Sequence, residues 1–288
     1  QIGTADAVKT VIEFIDENEK VLILYGDVPL IRKSTLKKLF SLNDSLSILT
    51  ANVPDPTGYG RVLKDSNDLV EEIIEEKDTN AQQKNIKEIF TGVMAIKGKI
   101  LRELIPLINN NNASREYYLT DLIGIANSNG FKIETLSVSW EETLGANTRC
   151  EQEKLEQTYR KMKNEELLKK GITLIDKNRI DVRGELQAGV DCTIDINVIF
   201  EGKVELGNNV KIGANTIITN TKIGDNSEIL PFSHIDSSHI GKDCFIGPYA
   251  RLREGSEIAD GARIGNFVET KKAKIGQSTK ANHFTYLG

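Results

Sequence analysis

The sequence predicts two architectures in one chain, an α/β domain with a mostly parallel sheet followed by a parallel β-helix of hexapeptide repeats. The β-helix is predicted because an Ile, Leu or Val precedes Gly again and again over residues 204–288. A period of six residues is typical of parallel β-helices. An ordinary β-sandwich would show alternation with turns every eight to twelve residues or so. The apolar positions that follow the period of six are Leu206, Ile212 and Ile218, then Ile223, Ile229 and Ile235, then Ile240, Ile246, Leu252, Ile258 and Ile264.

Each hexad is expected to supply one short strand and a turn, with three hexads closing a coil. The apolar residue points inward and stacks on its counterpart in the next coil. The glycine that follows is expected to provide the unusual backbone angles of the turn. Residues 176–191, with Val182, Leu186 and Val190, are interpreted as the beginning of this structure.

Strands alternate with helices in the first half of the chain, which indicates an α/β domain. The run at residues 21–25 is apolar throughout, as expected for a strand that is buried on both faces of a parallel sheet. Further strands are predicted at residues 45–53, 69–75, 89–97 and 132–139, and helices at 5–18, 35–42, 99–108 and 116–127.

A mainly charged helix is predicted between the two architectures. Thr148 and Glu151 have the spacing of a capping box at its start, and Gly171 ends it. Because few apolar residues lie along it, we expect a solvent-exposed linker.

Composition excludes several classes of protein. The 288 residues allow two domains, and 37 basic against 42 acidic residues give a net charge of −5, which provides no footprint for nucleic acid. The apolar runs are too short to cross a membrane, and no secretory signal is present. Three cysteines lie far apart without a CxxC pair, as expected in a reducing compartment. These features predict a soluble, cytoplasmic protein without membrane insertion.

Asp27 is the first residue expected to carry chemistry. It comes just after the predicted strand at residues 21–25, and ligands of open α/β sheets bind outside the carboxyl ends of strands. A carboxylate there suits Mg²⁺ together with substrate phosphates. The alternative is that Asp27 only satisfies backbone donors in its own turn. Gly3 and Thr4 precede a helix, where backbone N–H groups either serve a ligand or form a simple cap.

A second group of candidate residues lies where the hexad pattern lapses. His283 suits a general base, since the unperturbed pKa of histidine lies near neutrality. Arg253 and Lys271 are cations at turns, which suits a substrate that carries a phosphate. Each of these residues can also be interpreted as a solvated turn residue. For the neighbouring Lys272, we prefer that interpretation. The other two histidines, His234 and His239, are interpreted as surface residues.

These residues carry a resemblance to a known family. Residues 24–30 (LYGDVPL), 55–61 (DPTGYGR), 116–121 (EYYLTD), 265–269 (GNFVE) and 280–288 (KANHFTYLG) are the motifs concerned. The whole chain resembles the bacterial bifunctional N-acetylglucosamine-1-phosphate uridyltransferase / glucosamine-1-phosphate acetyltransferases. The resemblance implies a Rossmann-like nucleotidyltransferase domain at residues 1–147, a linker helix at 148–171 and a left-handed parallel β-helix at 172–288.

The resemblance implies a bifunctional enzyme of two steps. In the β-helix, acetyl-CoA acetylates the amino group of glucosamine-1-phosphate. In the first domain, the resulting N-acetylglucosamine-1-phosphate attacks UTP in the presence of Mg²⁺, giving UDP-N-acetylglucosamine, a precursor of the bacterial cell wall, and pyrophosphate. The family forms homotrimers through the β-helix, so neighbouring subunits are expected to complete the sites.

The resemblance also implies roles for individual residues. In the acetyl-transfer site, His283 is the base, and Arg253, Lys271 and Tyr286 hold the sugar phosphate. Asp27 and Asn147 bind Mg²⁺. The residues implied to bind the nucleotide sugar are Gly3, Thr4, Tyr25, Gly26, Asp27, Gly60, Glu75 and Asn147.

Two departures from the family pattern qualify these expectations. Phe90 stands where the family usually has Asn, so weaker binding or an altered sugar preference is expected at the first site. The family's glycine-rich triphosphate-binding segment is expected before Gln1, and the coils that complete the acetyl-CoA pocket after Gly288.

Two other functions remain open from the sequence. The first is a single-function sugar-1-phosphate nucleotidyltransferase whose repeats serve only assembly, although the segment around His283 has no purpose in a structural coil. The second is a non-catalytic scaffold or regulatory relative, although Asp27 and Asn147 are both retained.

Overall fold

The structure is a computed structural model that describes residues 2–42 and 45–288. The chain divides into two compact units, Gln1–Leu155 and Glu156–Gly288. Among the described helices, none combines the length and apolar character needed to cross a lipid bilayer.

The first unit is an α/β fold around one six-stranded sheet. Its strands are β1 (Lys20–Ile23), β2 (Leu46–Asn52), β3 (Arg61–Lys64), β4 (Val70–Ile74), β5 (Glu88–Lys97) and β6 (Ile133–Val138). The order is β4-β3-β5-β2-β6, and β1 pairs with the end of β5. The helices are α1 (Thr4–Lys9), α2 (Lys33–Ser41), α3 (Gly98–Leu104) and α4 (Asp121–Ser128), with 3-10 helices at Ile12–Phe14, Glu76–Asp78, Gln83–Asn85, Ile105–Leu107 and Trp140–Thr143.

Strand β5 explains why the sequence of this sheet is so apolar. Its side chains alternate between two cores: Met94 and Ile96 face the larger core with α3 and α4, whereas Val93 and Ala95 face the smaller core with Leu39 of α2. Burial on both faces therefore holds for β5, whereas β1, for which it was predicted, is only partly buried, and Leu24 just after it is 47% exposed.

The expected mostly parallel arrangement needs a correction in the strand pairings. Among the described pairs, β2 and β6 are parallel, whereas β5 is antiparallel to β1, β2 and β3, and β3 is antiparallel to β4. An apolar run indicates that both faces of a strand are covered. Such a run is expected for parallel and for antiparallel strands alike, so it does not predict strand direction.

Several predicted elements differ from the observed ones. The helix predicted at residues 5–18 ends at Lys9, and a 3-10 helix follows at Ile12–Phe14. The helix predicted at residues 116–127 begins only at Asp121, because the backbone of Tyr117 is hydrogen-bonded to Ile2 and Ala5. Strand β3 was not predicted, since it is short and follows directly on the turn-rich loop at residues 54–60.

Helix α5 (Arg149–Lys169) has the predicted capping box. The Glu151 backbone N–H donates to the Thr148 hydroxyl at 3.2 Å, and the Glu151 carboxylate accepts the Thr148 N–H at 2.9 Å. The expectation of a fully exposed arm is wrong at the end of the helix. Asn164 is fully buried and donates to the carbonyls of Lys177 and Ile180 at 2.7 and 2.9 Å.

The second unit is a parallel β-helix, as predicted, and its handedness stays a prediction. Every described strand pair in it is parallel. Ile229 lies between Ile212 and Ile246 in adjacent coils, 17 residues away from each. The strands are β7 (Thr173–Leu174), β8 (Ile180–Ala188), β9 (Thr193–Ile194), β10 (Val198–Leu206), β11 (Lys211–Ile212), β12 (Ile217–Thr219), β13 (Lys222–Ile223), β14 (Glu228–Ile229), β15 (His234–Asp236), β16 (His239–Ile240), β17 (Phe245–Ile246), β18 (Arg251–Leu252), β19 (Glu257–Ile258), β20 (Arg263–Asn266), β21 (Glu269–Thr270), β22 (Lys274–Ile275), β23 (Lys280–His283) and β24 (Tyr286–Leu287).

Most glycines that follow an inward residue have a different role from the one expected, and Gly247, with a φ of 99°, is an exception that has the expected backbone angle. At Gly213 a Cβ would lie 2.7 Å from the nitrogen of Pro231 in the next coil, and at Gly224 it would lie 2.6 Å from the carbonyl carbon of Gly241. Close approach of the coils therefore requires glycine at these positions. The positive φ falls two residues later, for example at Asn215 (57°) and Asn226 (59°).

One corner of the β-helix carries a column of aromatic rings. Asn197 and Asn215 occupy this corner in earlier coils, and the amide of Asn197 donates to that of Asn215 at 2.9 Å. The rings in the following coils stack with centroids 5.0, 5.3 and 5.3 Å apart. This aromatic column consists of Phe232, Tyr249, Phe267 and Phe284, all with positive φ and all exposed.

Candidate functional sites

A cleft of about 600 Å³ opens in the first unit beyond the end of β1, and a second of about 770 Å³ adjoins it. Thr4, Tyr25 and Asp27 line both. The residues that the resemblance assigns to the nucleotide sugar all lie here: Thr4, Tyr25, Asp27, Gly60, Glu75 and Asn147 line the first cleft, and Gly3 and Gly26 line the second. The structure brings the whole set together, while their roles stay a prediction.

Tyr25 stands between the two clefts as a neutral hydrogen-bond donor. Burial raises the pKa of its phenol to about 12, and the nearby Glu75 carboxylate adds to the shift, against a smaller opposing effect of a hydrogen bond with Thr4. The ring lies on Gly92 of β5, which has a φ of 83°, and a Cβ at that glycine would overlap the ring. Gly92 therefore fixes the position of Tyr25.

Gly3 and Thr4 are held by the segment before α4. The Thr4 hydroxyl accepts the Leu119 N–H at 2.9 Å, and the Ala5 N–H donates to the Tyr117 carbonyl at 2.9 Å. Gly3 has a φ of 133° and contacts the Tyr117 backbone so closely that a Cβ has no room. Thr4 thus anchors a wall of the cleft and does not cap its own helix.

Glu75 is the carboxylate on the side of the cleft formed by β3 and β4. It accepts a hydrogen bond from the Thr120 hydroxyl at 2.9 Å. Burial raises its pKa despite this bond. Burial and the charge of Glu75 in turn raise the pKa of Asp121 to about 6. Acceptors with so little solvation suit hydroxyl donors of a neutral ligand such as a sugar.

Phe90 lines the same cleft and is buried, at 4% exposure. Its backbone N–H donates to the Gly60 carbonyl at 2.9 Å. The cleft therefore has an apolar side chain next to Gly60, as its departure from the family pattern implied.

Asp27 and Asn147 come from two loops that are hydrogen-bonded to each other. The Ala146 N–H donates to the Asp27 carbonyl at 3.2 Å, and Gly145 leaves room for this approach. The Asn147 N–H donates to the Glu151 carboxylate at 2.7 Å, so the start of α5 fixes the second loop. Within residues 2–42 and 45–288, no group of three or more His, Cys, Asp and Glu side chains is placed to hold a metal. Two oxygen ligands completed by substrate phosphates still fit Mg²⁺.

In the second unit, Arg253 and Lys271 share an acidic neighbour. One oxygen of Glu254 lies 3.9 Å from Arg253 Nε, and the other lies 3.4 Å from Lys271 Nζ. Arg253 also donates to Glu269 at 2.9 Å. Tyr286 is exposed in the next coil, in register with Glu269. The structure therefore brings Arg253, Lys271 and Tyr286 to one face.

His283 ends β23, in register with Asn266. Its imidazole is exposed and meets the ring of Phe284 edge-on, with centroids 5.8 Å apart. Among the described residues, no hydrogen bond or ion pair holds the imidazole, and none joins it to Arg253, Lys271 or Tyr286.

Sequence reasoning missed several residues of these sites. Glu254 and Glu269 pair with the two cations from other coils, and Gly92 and Thr120 support Tyr25 and Glu75. The one signal in the sequence that could have identified such a pair is opposite charge at a separation of about one coil, as between Arg253 and Glu269.

Two family models match the chain. Nucleotidyl transferase matches residues 1–130, and bacterial transferase hexapeptide (six repeats) matches residues 237–272. A structure of a mutant of AntD, an N-acyltransferase from Bacillus cereus in complex with dTDP and coenzyme A, covers 43% of this chain and 83% of its own at 17% identity. Its TM-score is 0.35, a level from which nothing follows for this chain.

Two curated relatives match along the whole chain, and both are named bifunctional protein GlmU. The protein from Aromatoleum aromaticum is 43% identical over 292 residues, and that from Idiomarina loihiensis is 47% identical over 291 residues. Each match covers 100% of this chain and 64% of the relative, so the chain spans a little under two thirds of their length. The chain is therefore similar along its whole length to bifunctional GlmU proteins, with a nucleotidyl transferase region followed by hexapeptide repeats.

Proposed function

We propose that this protein makes UDP-N-acetylglucosamine in two steps. The second unit transfers the acetyl group of acetyl-CoA to glucosamine-1-phosphate. The first unit then transfers UMP from UTP to the N-acetylglucosamine-1-phosphate so formed, and pyrophosphate leaves. The observation that carries the proposal is the match of the whole chain to two bifunctional relatives.

In the first unit, the proposed nucleotide site extends across both clefts. Gly3 and Thr4 contact the uracil, and Tyr25, Gly26 and Asp27 contact the nucleotide. The support for this assignment is that Thr4, Tyr25 and Asp27 line both clefts. The protonated Tyr25 phenol donates a hydrogen bond, since its pKa lies well above neutrality.

The acceptor sugar is proposed to lie at the other end, against Gly60, Glu75 and Asn147. The half-buried Glu75 carboxylate accepts hydroxyl donors, and Phe90 supplies an apolar wall beside Gly60. This arrangement orients the sugar phosphate toward the nucleotide, and positioning is a main contribution of the protein to phosphoryl transfer.

Asp27 and Asn147 are proposed to hold Mg²⁺, with substrate phosphates as the remaining ligands. Such an ion neutralises charge on the phosphates. The support is that two oxygen donors line one cleft and that the Ala146 N–H joins their loops.

In the second unit, His283 is proposed to take a proton from the substrate amine as the amine attacks the thioester of acetyl-CoA. The C–S bond breaks, and coenzyme A leaves as the thiolate. Arg253, Lys271 and Tyr286 bind the sugar phosphate. Glu254 and Glu269 hold the two cations in place without neutralising them fully, since all of these groups stay partly exposed. The exposed imidazole suits a base that meets its substrate at the surface of a coil, where a neighbouring subunit would cover it.

The remaining proposals concern organisation. We propose a uridyltransferase domain at residues 1–147, a linker helix at 148–171 and an acetyltransferase domain at 172–288, assembled as a cytoplasmic homotrimer through the β-helix. The three cysteines are free thiols, in keeping with a reducing compartment.

Two variants of the full-length protein test the proposal. His283→Ala should abolish acetyl transfer and leave uridylyl transfer unchanged, whereas Asp27→Ala should abolish Mg²⁺-dependent uridylyl transfer alone. His239→Ala is the matched control, because it removes another exposed histidine of the β-helix. Full acetylation by the His283 variant would remove its role as the base, and unchanged UTP turnover by the Asp27 variant would remove its metal role. A parent protein that transfers UMP but no acetyl group would favour a single-function nucleotidyltransferase.

A further inference from the structure

Arg61 is a buried cation whose purpose the proposed reaction leaves unexplained. Its side chain is 2% exposed, and it is among the largest fully buried side chains in the described part of the protein. It does not line either cleft. Removing a charge from water costs several kcal/mol, and a hydrophobic residue of similar volume is often at least as stable in such a place. A contribution to stability therefore does not account for arginine here.

The contacts of Arg61 join two edges of the sugar end of the cleft. One guanidinium nitrogen, Nη1, donates to the Tyr59 carbonyl, and Nη2 donates to the Glu76 carboxylate at 2.5 Å. Tyr59 directly precedes Gly60, and Glu76 directly follows Glu75. Tyr59, Gly60 and Glu75 all line the cleft.

Gly60 accepts the Phe90 N–H of β5 at 2.9 Å and Glu75 accepts the Thr120 hydroxyl at 2.9 Å, so each residue is held by a different part of the fold and neither bond joins the two. Strand β3 begins at Arg61, which pairs with Ile74 at the end of β4, so Gly60 and Glu75 both lie just beyond the ladder. A Cβ on Gly60 would be 3.8 Å from the Glu75 carboxylate. A planar guanidinium with two fixed donors can set this separation, which a single lysine ammonium cannot reproduce.

We propose that Arg61 and Glu76 are positioning residues, which fix Gly60 and Glu75 relative to each other for binding of the sugar phosphate. The inference rests on the proposed function, in which these two residues contact the sugar. Arg61 acts through the backbone of Tyr59 and through Glu76, and it does not touch the substrate.

The test is the double variant Arg61→Met/Glu76→Met in the full-length protein. It replaces the buried arginine and its half-buried partner by apolar side chains, so the fold should be retained. We expect the KM for N-acetylglucosamine-1-phosphate to rise about tenfold or more, with the KM for UTP within about twofold of the parent, because only the sugar end is misplaced. Arg61→Lys should not restore the parent KM. Acetyl transfer, measured on the same samples, should not change.

Two further variants make the result decisive. Lys64 lies on the same strand as Arg61, lines neither cleft, and forms an ion pair with Glu88 at 2.8 Å. Lys64→Met removes this ion pair and should leave both KM values unchanged. If the double variant does not fold, Glu76→Ala decides, because Glu76 is 29% exposed and this change removes the acceptor of the Arg61 Nη2 hydrogen bond. The KM for the sugar phosphate should rise in this variant too. An unchanged KM for the sugar phosphate, or a loss of kcat alone in proportion to unfolded protein, would overturn the positioning role. A parent protein without uridylyl transfer would instead overturn the proposed function, and the inference with it.

Discussion

Replacing Gly92 by Ala tests whether the packing of Tyr25 is what shapes the nucleotide cleft. Gly92 has a φ of 83°, and a Cβ there would lie within 2.8 Å of three carbons of the Tyr25 ring. A left-handed backbone costs an L residue about 1–2 kcal/mol. Forcing extra volume into a packed site costs about 1–3 kcal/mol more. Gly92→Ala should therefore lower the free energy of unfolding of the first unit by about 2–5 kcal/mol.

Trp140 provides the assay, because it is the single tryptophan of the chain and belongs to the first unit. Its fluorescence during urea unfolding reports on that unit. Gly130→Ala is the matched control: its φ is 79°, but no atom lies within 4 Å of the added Cβ. It should show only the backbone cost of about 1–2 kcal/mol. Gly58→Ala repeats this control at the rim of the cleft, with a φ of 86° and equally open space.

The functional result should follow from the same displacement. Because the ring must leave its place on Gly92, UTP binding measured by calorimetry should weaken in Gly92→Ala and stay unchanged in Gly130→Ala. If Gly92→Ala is no less stable than Gly130→Ala, or binds UTP equally well, the argument from ring packing is refuted.

Three other substitutions give further predictions. The pKa of Asp121 is raised from 3.8 to about 6, so the folded state binds the extra proton and stability falls as pH rises across that window. Asp121→Asn should remove this pH dependence, so the free energies of unfolding of variant and parent, measured with urea, should diverge between about pH 4 and 7. A constant difference between the two proteins over this range would contradict the prediction. Asn164→Ala removes the donor to the buried Ile180 carbonyl and to the partly buried Lys177 carbonyl. It should destabilise the second unit by about 1–3 kcal/mol in thermal unfolding, whereas Glu156→Ala on the exposed face should have little effect. Phe267→Ala removes two ring contacts worth about 0.5–1.5 kcal/mol each. Phe267→Asn should be less destabilising, because Asn tolerates the positive φ. Equal losses of stability in the two variants would contradict the argument from backbone strain.

The β-helix could be predicted almost completely from the sequence. Each coil places its apolar residue on its counterpart in the next coil, so the register of Ile212, Ile229 and Ile246 is visible as spacing alone. The reason for the glycines could not be predicted, because it depends on the distance between coils. Gly213 is required because a Cβ there would clash with Pro231 of the next coil, which is remote in sequence.

The α/β unit shows where reasoning from a sequence stops. Apolar runs predicted the buried strands, but burial carries no information about strand direction, and β5 proved antiparallel to three neighbours. The position of Asp27 after a strand was sufficient to locate the cleft. The supports of that cleft depend on contacts between distant segments, such as Tyr25 on Gly92 and Thr120 with Glu75, which no local pattern reveals.

The aromatic column adds an optical signal from the β-helix to that of Trp140 and the six other tyrosines. Four rings held 5.0 to 5.3 Å apart along a regular chiral axis form a coupled set of chromophores, with Tyr249 the only phenol among three phenylalanines. Their circular dichroism in the near ultraviolet depends on the spacing and rotation between successive coils. Changes in coil geometry, whether on ligand binding or on heating, are therefore measurable in this spectrum without any label.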